Sequence, residues 1–331
     1  MLKPIRQFSA IMLWWVCYIP LNAFILSVFL KQVLTAGKNS MGQTKAEPDD
    51  SEMIKNWADS NLSDKTKIKD DEGFGTRFER HMMSKLLLDL AKEYGLKSVL
   101  ESPADGVTGI PGANSLPLAG IVEKPVALTN PSEMLLESAI ATWSARELRD
   151  KVQTFPAAVA RLPFESGAYD LVWSFCMLER LKDASSYLDE AARVSGKTVL
   201  MVTLNYSNHG TWLHRVYHRV LGLGWDHGRF GMMTLSGIKR SFQRSNLEIV
   251  AWGAVDVPPT WDTWDMPLGA DISRVMALFG KKWEWKASSP GAEKGFLLSL
   301  FEWMEDNLPV WFKLQNAHHL YVVGRPSRNE K

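Results

Sequence analysis

The sequence predicts an α/β fold: a doubly wound, mostly parallel sheet with helices covering it. Three observations lead there. Strand and helix patterns alternate from Ser98 to Leu204, which is how parallel strands with crossover helices are written in sequence. Tyr169 to Phe175 (YDLVWSF) is almost entirely apolar, as a strand buried on both faces should be. The first strand also runs straight into a loop rich in glycine, SVLESPADGVTGIPG from Ser98 to Gly112. Sheets of this kind cradle nucleotide-like ligands with such loops at the carboxyl ends of their strands, where glycine lets backbone amides come close.

Composition narrows the partners. The chain has 331 residues and a formal net charge of +1, so no electrostatic footprint for nucleic acid is expected. Cys17 and Cys176 are the two cysteines. Their settings differ too much for a disulfide, which favours a reducing compartment. Half of the 14 tryptophans follow Ala251.

Taken in order, residues 1–37 are expected to form a membrane anchor. Gln7 to Leu30 carries no charge, and a helix of about 24 residues spans the hydrocarbon core. Pro20 would kink it, which membrane helices tolerate. Residues 38–76 form a polar linker with short helices, with Glu47, Asp49 and Asp50 clustered. Residues 77–331 form the main domain. Phe78 to Tyr94 is helical, because Phe78, Met82, Leu86, Leu87, Leu90 and Ala91 recur at helical spacing. The first strand follows at Ser98. Then come a strand at Pro125–Thr129, a helix at Pro131–Glu147, a strand at Lys151–Ala158, the apolar strand, a helix at Met177–Val194 and a strand at Thr198–Leu204. A helix at Ser236–Ser245, a strand at Leu247–Val255 and a last strand at His319–Gly324 complete the pattern. About 60 residues separate the last two strands. So long a connection should be structured or functional, with helices near Ile272–Phe279 and Phe296–Asn307. This Trp-rich insertion covers about 257–317.

The most specific segment is LPFESGAYDLVWSFCMLERLKDASSYLDEAARV, starting at Leu162. It resembles the region of class I S-adenosylmethionine-dependent methyltransferases written as LPF, two polar residues, G-S-F-D-L-V, then L-E-H-L and a helix ending in A-R-V. VLE at Val99–Glu101 resembles the first strand of that family's cofactor motif, and LTNPSEMLLESA its second strand and following helix. The resemblance implies a Rossmann-like sheet of seven strands, the last antiparallel, and S-adenosyl-L-methionine as cofactor. It implies that Glu101 ends the first strand beside the methionine ammonium, with Gly106 and Gly109 shaping the loop beneath. Pro103 and Asp105 stand where the family has its first two glycines. Asn130 takes the place of the acid that grips the ribose hydroxyls. Ala158 replaces an Asp that accepts from the adenine amino group, leaving backbone groups near Val159 to read that edge. Phe175 is placed near the cofactor, and Arg180 stands where the pattern has His.

Other constellations were weighed beside these. Asp226 and His227, in GWDHGRF after the fifth strand, are candidate acid–base residues on a loop that should face the site; the plainer reading is a turn with a side-chain-to-backbone hydrogen bond. Arg180, Trp261 and Trp264 are assigned to the acceptor. The late tryptophans suit an apolar substrate or a membrane interface, or else a packed helical subdomain. His214 and His218 sit four apart on an expected helix, and His318-His319 opens a strand as packing or a surface pair. No metal ligand is assigned. The expected function is methyl transfer to an apolar small molecule or lipid-like acceptor, by a single-pass membrane protein with its catalytic domain in the cytoplasm. The alternative is a non-catalytic binding or scaffold protein of the same fold. The oligomeric state is not written in the sequence.

Overall fold

The computed structural model describes residues 7, 9–13, 49–63, 74–105, 110–212, 215, 219, 225, 227–257 and 296–327. Seven strands form one sheet: β1 (Val99–Glu101), β2 (Val126–Asn130), β3 (Val152–Pro156), β4 (Tyr169–Phe175), β5 (Ser195–Leu204), β6 (Leu247–Val255) and β7 (His319–Pro326). Their order is β3-β2-β1-β4-β5-β7-β6. Strands β1 to β5 pair in parallel, and β7 runs antiparallel between β5 and β6. His319 lies opposite both Leu204 and Val255, so β7 starts at the end of the sheet where the other strands finish.

The central strands β1 and β2 are buried along their whole length, which explains their uninterrupted apolar spelling. Among the described residues, these helices cover or flank the sheet: α1 (Asp50–Ser63), α2 (Phe74–Glu93), α3 (Glu133–Ser144), α4 (Ala184–Val194), α5 (Leu235–Arg244), α6 (Phe296–Asn307) and α7 (Val310–Asn316). On α4 the buried residues are Ala184, Tyr187, Leu188, Ala191 and Val194, one face at helical spacing. Helix α6 is tied to α2: Lys85 Nζ lies 3.0 Å from Glu302, His81 Nε2 2.9 Å from the same carboxylate, and the Phe78 and Phe301 rings meet edge to face.

Among the described residues the expected strands and helices are found, with several boundaries displaced: the first long helix starts at Phe74, the helix after β2 ends at Ser144 and β5 starts at Ser195. The helix expected from Met177 begins at Ala184, because the Asp183 side chain accepts from the Ser186 amide and caps it there. The third strand stops at Pro156, and Ala158 instead bridges Arg161 in a turn. The expected helix at Ile272–Phe279 lies outside the described residues, as does most of the expected membrane span. Among the described residues no helix is long and apolar enough to cross a membrane.

Candidate functional site

The carboxyl end of β1 holds a buried polar network. Glu101 is fully buried. Ser115 Oγ donates to its Oε2 at 2.5 Å, the Asp105 amide donates to Oε1 at 3.3 Å, and Trp173 Nε1 donates to Ser115 Oγ at 3.1 Å. Burial pushes the Glu101 carboxyl up to about 8, although these hydrogen bonds pull it down. A cation placed beside it would restore the charged form. Asn114 is buried next to Glu101, yet neither of its amide atoms reaches hydrogen-bonding geometry, and the Ser102 hydroxyl is also unsatisfied. Pro103 is buried within the turn and Asp105 is half-buried. Gly106 and Gly109 lie outside the described residues. The loop ends at Gly112, whose carbonyl accepts from Trp143 Nε1. Its φ is +70°, and a Cβ there would lie 2.8 Å from that of Ala139, so only glycine fits.

At the ends of β2 and β3 the polar groups already have protein partners. Asn130 Nδ2 donates to the Ala104 carbonyl and Oδ1 accepts from the Ser132 amide, both at 2.8 Å. The Val159 amide donates to Ser51 Oγ at 3.1 Å. Ser51 belongs to α1, which lies across the strand ends. Its Asp59 accepts from Ser132 Oγ, and its Asp50 accepts from the amides of Lys182 and Asp183. The Arg180 guanidinium sits 4.4 Å over the Trp57 ring. Ile54 and Ala58 are buried beneath. Arg180 thus holds α1 in this structure.

Beyond β4 the chain turns at Cys176, which has a φ of +53°. Phe175 is buried against the His319 ring, with centroids 4.9 Å apart. Glu179 follows, also fully buried. Its Oε1 accepts from the Leu204 amide at 3.1 Å and its carbonyl accepts from the Arg229 amide at 2.7 Å. Burial pushes the carboxyl up to about 7, so it can hold or release a proton near neutral pH. The loop carrying His227 is docked here: a Cβ on Gly228 would lie 2.5 Å from the Glu179 carbonyl oxygen. His227 packs against Trp225. Asp226, Trp261 and Trp264 lie outside the described residues.

The structure therefore gathers Glu101, Asp105 and Asn130 around Ala104, and Phe175, Arg180 and His227 along the next edge. Sequence reasoning missed Asn114, Ser115 and Glu179. Glu179 had a signal, since it is the acid of the LER triplet; Asn114 and Ser115 sit in a loop without periodicity.

Residues 108–201 match the family model described as a methyltransferase domain. This segment is a methyltransferase domain. The match agrees with the resemblance to class I S-adenosylmethionine-dependent methyltransferases, and it contains the Glu101 partners Asn114 and Ser115. No curated protein matches the chain. Among solved structures, the chain is similar to a putative methyltransferase complexed with the Trm112 activator of Haloferax volcanii, at 14% identity and a TM-score of 0.48, covering 85% of this chain and 99% of that one. The YcgJ protein of Bacillus subtilis is similar at 14% identity and a TM-score of 0.46, covering 75% and 99%. The geranyl diphosphate C-methyltransferase of Streptomyces coelicolor follows at 11% and 0.41, covering 73% and 75%. Likenesses this distant say nothing about substrate.

Proposed function

We propose that the methyltransferase domain binds S-adenosylmethionine at the end of β1 and methylates an apolar small molecule or lipid-like acceptor. The chain is held at a membrane by its N-terminal segment, with the domain on the cytoplasmic side, where the cofactor is made. The observation that carries the reading is the buried polar set at the β1 loop, next to and within the matched segment: Glu101 with Ser115, and Asn114 with its amide unsatisfied. Unpaired buried polar atoms call for a partner, and an amide can donate to a carboxylate and accept from an ammonium. These residues fit the amino-acid end of the cofactor. When bound, the cofactor would supply a methyl group on a positively charged sulfur, ready for a nucleophile.

The chain's own residues then have distinct tasks. Glu101 and Asn114 hold the amino-acid end. The Val159 amide serves the base only once Ser51 has released it, so α1 must shift for the whole ligand to be seated. Glu179 holds or takes up a proton at the acceptor side, with His227 on the loop docked against it; Asp226 is assigned to the same acid–base task from the sequence. Arg180, Trp261 and Trp264 are assigned to the acceptor. An apolar acceptor is favoured by the tryptophans of the late insertion and by the exposed Phe296, Trp303 and Trp311 on its helices.

Calorimetric titration of the full-length chain in detergent with S-adenosylmethionine and S-adenosylhomocysteine tests the reading. Binding is expected, and Asn114→Leu should weaken it about tenfold or more, the loss of one or two hydrogen bonds. A folded protein with no affinity for either compound would sink the enzyme reading. It would leave the second one, a non-catalytic binding or scaffold protein, favoured by the protein partners that Asn130 and Val159 already have. Given binding, a search of membrane extracts for molecules that gain a labelled methyl group identifies the acceptor.

A further inference from the structure

Behind Phe175 lies a second group of side chains that methyl transfer does not use. Glu79 comes from α2, Asp256 directly follows β6, and His318 and His319 lead into β7. All four are buried, Asp256 completely. His318 Nδ1 lies 3.4 Å from Asp256 Oδ2 and 3.7 Å from Glu79 Oε2, and His319 Nε2 lies 3.7 Å from the same Glu79 oxygen. One ligand atom from each of the four falls within 4.8 Å of all the others. Neither oxygen of the Asp256 carboxylate makes a hydrogen bond, and neither do His318 Nδ1 and His319 Nε2.

We infer that Glu79, Asp256, His318 and His319 bind a divalent transition-metal ion, zinc by the chemistry of the donors. Separations of 3.4–3.7 Å are long for hydrogen bonds. They match the edge of a tetrahedron with metal–ligand bonds of about 2.1 Å, which is about 3.4 Å. Two imidazoles with two carboxylates suit zinc better than magnesium or calcium, which take oxygen ligands. Charge agrees as well: two buried carboxylates balance a dication while both imidazoles stay neutral. Without an ion, two acids would have to share protons with two histidines in a space closed to water, an expensive arrangement.

The supporting shell is built to hold these donors. Asp256 has a φ of +68°, a left-handed backbone that is uncommon for non-glycine residues and most accessible to Asp and Asn. Two contacts lock it. The Glu305 carboxylate accepts from the amides of Asp256 and Val257 at 2.9 and 2.8 Å, and the His318 amide donates to the Asp256 carbonyl at 2.7 Å. On its outer side, His319 Nδ1 faces Cys176 Sγ at 3.6 Å. Metal-bound histidines are commonly fixed through the second ring nitrogen by a carboxylate, carbonyl or water; here the cysteine sulfur takes that place. Four protein ligands leave no open position, so the ion is structural. Its place gives the role: it clamps to α2 the two points where the chain leaves β6 for the late insertion and returns to β7.

The test uses the untagged full-length protein, expressed with zinc supplied and analysed for metal by mass spectrometry. One zinc per chain is expected. After stripping with a chelator, Co²⁺ should give the intense visible absorption of a tetrahedral site, and ZnCl₂ should raise the melting temperature back to its starting value. Glu79→Gln and His319→Ala should each lose the ion. Glu79→Gln keeps the side chain's shape, so it reports on the site even where His319→Ala fails to fold. Folded wild type that retains no zinc and gives no Co²⁺ spectrum overturns the proposal, and so does full zinc content in folded Glu79→Gln. None of these readouts depends on methyl transfer, so the site stands or falls apart from the proposed activity.

Discussion

Under the proposed function, Glu101 would link fold stability to ligand binding at a single residue. Its folded carboxyl stands at about 8 against an ordinary 4.5, chiefly through burial. The folded protein therefore keeps a proton that the unfolded chain gives up in between. Sign follows by linkage: this contribution is fully present below the unfolded value and is lost as pH rises through the folded one. Glu101→Gln mimics the protonated acid, so its melting temperature should gain on wild type from about pH 5 to about pH 9. A constant difference would mean that Glu101 is already ionised in the folded state. Asn130 gives a second prediction, opposite to what the resemblance suggests. Restoring the family's acid with Asn130→Asp looks favourable in sequence. In the structure it removes the donor to the Ala104 carbonyl and sets a carboxylate against that oxygen. Urea unfolding should show a loss of about 1–3 kcal/mol with no gain in cofactor affinity. Gly228→Ala should cost at least as much, on the order of 1–3 kcal/mol, since both its backbone and the Glu179 carbonyl resist a side chain. Glu101 and Asn130 were legible because strands end at readable places. Their partners were not, because Ser115 and Ala104 reach them through loops.

At the level of elements, α1 lies across the proposed cofactor site. Its sequence is mostly polar, so it reads as linker with a short helix. Its apolar residues Met53, Ile54, Trp57, Ala58 and Leu62 nevertheless pack against the core, and Ser51 and Asp59 hold polar groups at the ends of β3 and β2. If α1 competes with the ligand for the Val159 amide, Ser51→Ala should tighten S-adenosylmethionine binding by a factor on the order of 5, the worth of one neutral hydrogen bond of about 1 kcal/mol. Calorimetry reads this directly, and weaker binding by the variant would show that Ser51 belongs to the bound state instead. The strands were legible almost to the residue where both faces are buried, as in β4, because burial dictates their composition. The start of α4 was hidden for a local reason. Apolar Met177, Leu178 and Leu181 continue the helical rhythm, but all three are buried in the turn before the Asp183 cap. The pairing of His318 and His319 with Glu79 and Asp256 was invisible, since three separate elements bring those four residues together.

For the molecule as a whole, the open relation is that between the domain and a membrane. Two features bear on it. The uncharged segment Gln7–Leu30 is long enough to span a bilayer at about 1.5 Å per residue. Apart from it, α6 and α7 expose Phe296, Trp303, Val310 and Trp311, although buried packing was one expectation for these tryptophans. Exposed tryptophans have little to lose in the folded state and suit the interface between headgroups and acyl chains. The two features make separable predictions. Deleting residues 1–37 should abolish membrane association that survives carbonate extraction, because only a span resists that treatment. The deletion variant should still sediment with anionic vesicles if the aromatic surface touches the bilayer. Adding Trp303→Ala and Trp311→Ala should then release it while its melting temperature stays within about a degree or two, surface substitutions being nearly neutral. In sealed vesicles carrying the full chain, protease added from the cytoplasmic side should digest the domain. A domain protected from that side would place it away from the supply of S-adenosylmethionine and would sink the membrane-bound enzyme, leaving the scaffold reading in its place.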